Sequence, residues 1–158
     1  MVERIISGGQ TGVDRAALDV ALALGIPCGG WCPKGRRAED GAIPEQYPLH
    51  EAASSRYPER TALNVQDADA TLILTRGKPD RGTALTRDLA RRHGKPWLVV
   101  DLEKPVRPAA VAKWVRENDV VTLNVAGPRL SSAPGIDEQA AAFLRKLLRQ
   151  PARRKADT

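Results

Sequence analysis

Short apolar runs alternate with amphipathic segments along almost the whole chain, and this alternation restricts the fold more than any other feature. Residues 70–75 and 97–100 are apolar nearly throughout, as is typical of strands buried on both faces of a sheet. Residues 14–24 and 136–149 repeat apolar side chains every three or four positions, as amphipathic helices do. Buried strands that alternate with helices predict a parallel sheet covered on both faces. We therefore expect an α/β fold with a single doubly wound, mainly parallel, Rossmann-like sheet of about five strands.

The domain organisation is simple. The 158 residues suit one domain, and the sequence shows no internal repeat or domain boundary. We predict a Rossmann-like binding domain over residues 1–150 and a disordered basic tail over 151–158. Strands are predicted at 2–7, 26–30, 70–75, 96–101 and 120–125, and helices at 14–24, 60–68, 83–93, 108–118 and 136–149. The polar stretch 31–55, which contains several Pro and Gly residues, is predicted to be a long functional loop.

Composition limits the partners. The sequence has no apolar run that could span a membrane and no start resembling a signal peptide, so we expect a cytoplasmic protein without a membrane partner. Cys28 and Cys32 are too few for a disulfide framework and lack a second Cys/His pair, so no metal site is predicted. The net charge of +6 indicates an anionic partner. Aromatic residues make up only 4% of the chain, which disfavours a nucleic acid.

The first candidate binding loop follows the first strand. Ligands of such sheets bind beyond the carboxyl ends of the strands. Residues 7–14 join a strand to a helix, and their three glycines would let backbone N–H groups approach an anion at the helix N-terminus. The alternative is a tight turn capped by Asp14. The candidate binding residues of this loop are Gly8, Gly9, Gln10, Thr11, Gly12 and Asp14.

Three further segments carry candidate binding residues. The loop at 75–83 repeats the first pattern, with a helix that Thr83 would cap, although it could simply be a solvated basic loop. In 31–41, Lys34 and Arg36 would close over an anion or pair with the neighbouring Glu39 and Asp40. The loop after the last strand offers an arginine to a phosphate, unless its asparagine only caps the turn. The candidates in these segments are Lys34, Arg36, Arg76, Gly77, Gly82, Thr83, Asn124, Gly127 and Arg129.

The same segments resemble a known family. From residue 5 to about 148 the chain is similar to the molybdenum carrier family, whose members are related to molybdenum-cofactor carrier proteins within the lysine-decarboxylase-like Rossmann superfamily. The motifs that carry the resemblance are SGGQTGVD at 7–14, GWCPKGR at 30–36, EDG at 39–41, RT at 60–61, NV at 64–65, TRG at 75–77, GT at 82–83 and LNVAGPR at 123–129.

The resemblance implies a binding and carrier protein whose cargo is the molybdenum cofactor, a phosphorylated pterin that bears molybdenum. Such a small polyanionic ligand would lie between the two glycine-rich loops. The resemblance also implies a homodimer or homotetramer, with molybdenum enzymes as recipients of the cofactor. A carrier needs no catalytic residue, and none is assigned.

An alternative comes from the same superfamily. Phosphoribohydrolases that release cytokinin bases from nucleotides carry Gly-Gly-x-Gly-Thr-x-x-Glu at the second loop. In this chain Asp80 and Arg81 replace the two glycines, and Thr86 replaces the glutamate. A neutral threonine cannot act as the carboxylate that assists glycosidic cleavage. A nucleotide-binding protein, or a nucleoside-phosphate hydrolase that uses another carboxylate such as Asp14, Glu39 or Asp40, stays open.

Overall fold

Residues 1–149 are described by a computed structural model of the chain. The predicted tail at 151–158 lies outside the described residues. The elements in chain order are β1 (Arg4–Ile6), α1 (Val13–Leu24), β2 (Cys28–Gly29), β3 (Trp31–Cys32), β4 (Arg37–Ala38), β5 (Gly41–Ala42), β6 (His50–Glu51), α2 (Tyr57–Asp67), β7 (Ala70–Thr75), α3 (Arg81–Arg92), β8 (Trp97–Asp101), α4 (Pro108–Glu117), β9 (Thr122–Ala126) and α5 (Ile136–Leu148).

Five strands form the central sheet in the order β2-β1-β9-β7-β8, and every neighbouring pair is parallel. Ile5 lies opposite Leu123, and Leu72 lies opposite Val125. Helices α1, α4 and α5 pack together, whereas α2 packs against α3. The predicted doubly wound α/β fold is confirmed.

The main core explains why the strand runs are apolar throughout. All six residues of β7 are buried because this strand lies inside the sheet and is covered on both faces. Apolar residues of α1, α4 and α5 pack on one face of the sheet. The largest fully buried side chains of this cluster are Ile5, Leu72, Leu74, Leu123, Ile136 and Leu144.

The segment 31–55 is not the long loop that its sequence predicts. It contains a parallel pair, β3 with β6, and an antiparallel pair, β4 with β5. A second core cluster fastens it to α1. The cluster consists of Leu18, Cys32, Ala38, Ile43, Tyr47 and Leu49. Strands of two residues leave no periodicity in a sequence, and this explains the wrong prediction.

The helix starts also differ from the prediction. Helix α2 begins at Tyr57 rather than at residue 60, with a proline in its first turn. Helix α3 begins at Arg81, because Asp80 rather than Thr83 is its N-cap. The Asp80 carboxylate accepts the N–H of Thr83 at 2.8 Å.

Candidate functional site

A cavity of about 550 Å³ lies beyond the carboxyl ends of β1 and β9, between the first turns of α2 and α3. This volume is in the range of small-molecule sites, about 300–1,000 Å³. The residues that form its walls are Gln10, Asp14, Tyr57, Pro58, Arg60, Thr61, Asp80, Arg81, Gly82, Thr83, Leu85, Thr86, Ala126, Gly127, Arg129 and Ser132.

The cavity is rich in arginine. Arg60, Arg81 and Arg129 line it. The guanidinium carbons of Arg37, Arg60 and Arg129 lie 5.2, 5.4 and 5.6 Å from the centroid of the Tyr57 ring, which holds them together by cation–π attraction. Within residues 1–149, only Arg60 of these four arginines has a carboxylate oxygen within 4 Å. Most of this positive charge is therefore available to an anionic ligand.

Asp14 is one of two aspartates that line the cavity. Its side chain is buried, and Oδ2 accepts the N–H of Gln10 at 3.3 Å and lies 3.7 Å from Nη1 of Arg60. Burial raises the pKa of Asp14 to about 6, despite the opposing attraction of Arg60. The carboxyl group thus exchanges a proton closer to neutral pH than an exposed aspartate does.

The glycines of the first loop make room for other parts of the protein. A Cβ on Gly8 would overlap the guanidinium of Arg60, and one on Gly12 would overlap the carbonyl oxygen of Pro128. Gly9, at φ 76°, lies under Leu49. Helix α2, the segment 31–55 and the loop after β9 thus each pack directly against this loop.

Two backbone donors of the first loop are already used. The N–H of Gln10 is bonded to Asp14, and the N–H of Thr11 donates to Oε1 of Gln10 at 3.1 Å. Neither N–H is free for an anion, and the positive groups of the cavity are side chains.

Two buried polar atoms of the wall have no hydrogen-bond partner among residues 1–149. They are Oγ1 of Thr83, a residue that is 3% exposed, and Nε of Arg60. Buried polar groups are nearly always hydrogen-bonded. Both atoms belong to residues that line the cavity, so a bound ligand can supply the partners.

Glu39 joins three parts of the site. Its carboxylate accepts hydrogen bonds from the hydroxyl of Thr11 and from the N–H and hydroxyl of Ser131, at 3.2 and 2.5 Å for the latter two. Its N–H donates to Oε1 of Gln10 at 2.9 Å. Burial alone would raise the pKa of Glu39, but the hydrogen bonds from Ser131 and Thr11 outweigh it, and the pKa is lowered. Glu39 thus fixes the first loop against the loop after β9.

The structure brings six of the sequence-predicted residues to this cavity, and they are Gln10, Asp14, Gly82, Thr83, Gly127 and Arg129. Gly8, Gly9, Thr11 and Gly12 form the loop behind it. Other predicted residues point elsewhere or are used by the fold.

Two of the predicted arginines donate hydrogen bonds to main-chain carbonyl oxygens. The guanidinium of Arg36 donates to the carbonyl oxygens of Ile43, Pro44 and Tyr47 at 2.8–3.0 Å. The guanidinium of Arg76 donates to Oε1 of Gln139 and to the carbonyl oxygen of Pro134. Neither arginine lines the cavity.

Three other predicted residues also lie away from the cavity wall. Lys34 is exposed. The N–H of Gly77 donates to Asp101 at 3.1 Å. Asn124 lies within β9 rather than at its end, and its amide donates to Thr71 at 3.2 Å.

Tyr57 and Arg60 are cavity residues that the sequence did not assign to the site. A signal existed, because Arg60 and the buried Asn64 lie four residues apart and therefore on one face of α2. Arg81 lies in the segment 75–83 that the sequence predicts as a basic loop, and its place at the start of α3 brings it to the cavity.

Within residues 1–149, no group of three or more His, Cys, Asp or Glu side chains is placed to hold a metal ion. In the same part of the chain, every helix is too short or too polar to cross a bilayer.

The protein is a Rossmann-like domain with an arginine-lined cavity at the carboxyl edge of its sheet, the place where ligands of such sheets bind. The chain belongs to the circularly permutated YpsA SLOG family, whose model matches residues 5–148. It is also similar to the crystal structure of a protein from Syntrophus aciditrophicus SB named "Putative molybdenum carrier protein". The two chains are 44% identical, with a TM-score of 0.89, over 93% of this chain and 95% of the other. No curated protein matches the chain.

Proposed function

We propose that this protein binds and carries the molybdenum cofactor as cargo in the arginine-lined cavity. The observation that carries the proposal is the convergence of Arg60, Arg81 and Arg129 on one cavity. An arginine fork matches the oxygens of a terminal phosphate. The name of the similar Syntrophus protein supports molybdenum as part of the cargo.

The chemistry of the walls suits the two parts of such a cofactor. The arginines take the phosphate, while the carboxylate of Asp80, at the α3 end of the cavity, accepts hydrogen bonds from the N–H groups of a pterin. Three charge-assisted contacts of about 2 kcal/mol each give about 6 kcal/mol, or a dissociation constant of tens of micromolar. A carrier has to release its cargo to molybdenum enzymes, and a modest affinity permits that. We further propose that it works in the cytoplasm as a homodimer or homotetramer.

Mass spectrometry of the gently purified protein tests the proposal. The protein is made in cells with intact cofactor synthesis and, as a matched control, in cells that cannot make the pterin. We expect a phosphorylated pterin and molybdenum to co-purify only from the first cells. A protein that carries a nucleotide and no pterin from both would contradict the carrier function.

A second candidate function is nucleoside-phosphate hydrolysis. The observation in its favour is Asp14, a carboxyl group in the cavity wall with a pKa of about 6, which suits a general acid. The two other carboxylates considered for this role are engaged, since Glu39 bonds Thr11 and Ser131 and Asp40 pairs with Arg15 at 2.5 Å.

The hydrolase is tested by incubation with a panel of nucleoside monophosphates. Release of free base by the protein, abolished in Asp14→Asn, would establish the enzyme. No release by the folded protein would exclude it.

A further inference from the structure

At the start of α3 the protein places a carboxylate of its own where an anionic ligand would bind. Helix N-termini attract anions through free N–H groups and the helix dipole. Asp80 caps this 12-residue helix, and its Oδ1 accepts the N–H of Thr83 at 2.8 Å. Both residues line the cavity. A second negative group brought to this end would meet Asp80, whose charge offsets that of the neighbouring Arg81.

A second observation points to a ligand at this end of the cavity. Oγ1 of Thr83 is buried and unpartnered among the described residues. Beside it, Gly82 leaves open space, since the nearest atom to a Cβ built there is Oδ1 of Asp80 at 3.7 Å. A hydroxyl or amino group can bond both Oγ1 of Thr83 and the carboxylate of Asp80, whereas a phosphate that bonds Thr83 is repelled by the charge of Asp80.

The charges of the wall agree with one anionic group. The cavity is lined by three arginines and two aspartates, which leaves a formal charge of +1. Arg37, on the ring of Tyr57, adds one further positive charge at the arginine end. The positive charge at this end compensates the negative charge of a single phosphate. It does not compensate a second phosphate near Asp80.

We infer that Asp80 is a specificity residue that limits the cavity to ligands with one phosphate-like group. That group binds among Tyr57, Arg60 and Arg129, and the part of the ligand at α3 is neutral and carries a hydroxyl or amino group. The chemical class is a phosphomonoester of a hydroxyl- or amino-bearing molecule, and diphosphates are excluded. The inference rests on the proposed function only in that the ligand is a phosphate ester.

The test uses inorganic phosphate as the probe, followed by ³¹P NMR titration of the full chain. Wild type should bind one phosphate, and Arg129→Gln should weaken that binding about tenfold. Removing the capping carboxylate should then create a site, so the double variant Asp80→Gly/Arg129→Gln should regain binding about tenfold over Arg129→Gln. Glycine is tolerated at an N-cap. Asp80→Asn, which removes the charge but keeps an acceptor for the N–H of Thr83, should regain less.

The matched control is Glu59→Gln in the Arg129→Gln background. Glu59 is an exposed carboxylate in the first turn of α2, next to the same cavity but outside its wall. Glu59→Gln changes the net charge by the same amount as an Asp80 variant and should restore no phosphate binding. If neither folded Asp80 variant binds phosphate better than Arg129→Gln, or if Glu59→Gln gains as much, the inference is overturned. Co-purification of a pterin with wild type is a separate result, so the proposed function can fail while this inference stands, and the reverse.

Discussion

The guanidinium of Arg60 lies directly on Gly8, at the place where any other residue would put its Cβ. Gly8, in the loop after the first strand, therefore lets a side chain of α2 reach the floor of the cavity. Because of it, an arginine from residue 60 reaches Asp14, which belongs to the first helix. This contact links the first glycine loop to the cavity through a side chain rather than through backbone donors.

Gly8→Ala should weaken phosphate binding about tenfold with little loss of stability. The added methyl displaces the end of a flexible arginine side chain, which can move into solvent, whereas the backbone at residue 8 needs no positive φ. Phosphate titration and thermal melting measure the two effects. If Gly8→Ala acts through Arg60, adding it to Arg60→Ala should cost no further affinity. Additive losses would contradict this.

Arg129→Ala should weaken binding of a phosphorylated ligand about tenfold, whereas Arg76→Ala should change it less than about twofold. Arg129 lines the cavity, while Arg76 is held by Gln139 and Pro134 outside it. Both variants lose one arginine and one positive charge, so each controls for the other. Equal losses of affinity in the two variants would show that the overall charge of the protein, and not the cavity, governs binding.

Arg36→Ala should lower the free energy of unfolding by about 2 kcal/mol and leave ligand affinity unchanged. Its guanidinium donates to carbonyl oxygens of the segment 31–55, which lose their partners in the variant. Urea denaturation gives the change. The exposed Lys34→Ala should cost less than about 0.5 kcal/mol. A large loss of affinity in Arg36→Ala would assign this residue to the binding site instead.

Asp14→Asn should be more stable than wild type at neutral pH. The pKa of Asp14 is about 6 in the folded protein and 3.8 in an ordinary environment, so the folded state binds the proton more tightly. Wild type therefore loses up to about 3 kcal/mol of stability as the pH rises from about 4 through 6. Denaturation of both proteins at about pH 4 and pH 7.5 should show the variant's advantage only at the higher pH. An equal difference at both would contradict the raised pKa.

The sequence predicted the fold because the features that define it are local and repeated. The strand Ala70–Thr75 is apolar at nearly every position since it is covered on both faces. The same sequence could not place the basic side chains. Arg36 and Arg60 look equally free in the sequence, yet one meets carbonyl oxygens and the other a cavity. Which of the two occurs depends on the short strands around residues 31–55, which leave no periodic signal.

The three hydrogen bonds to Glu39 reach across the chain, to a residue 28 positions before it and to one 92 positions after it. The cavity wall itself is built from residues between Gln10 and Ser132, so it needs both halves of the chain to be folded. A partly unfolded molecule in which Glu39 has lost Thr11 or Ser131 should therefore bind a ligand less tightly. Bound ligand should consequently slow hydrogen exchange throughout the domain and not merely in the loops that touch it, because its binding energy opposes every opening that separates these distant segments.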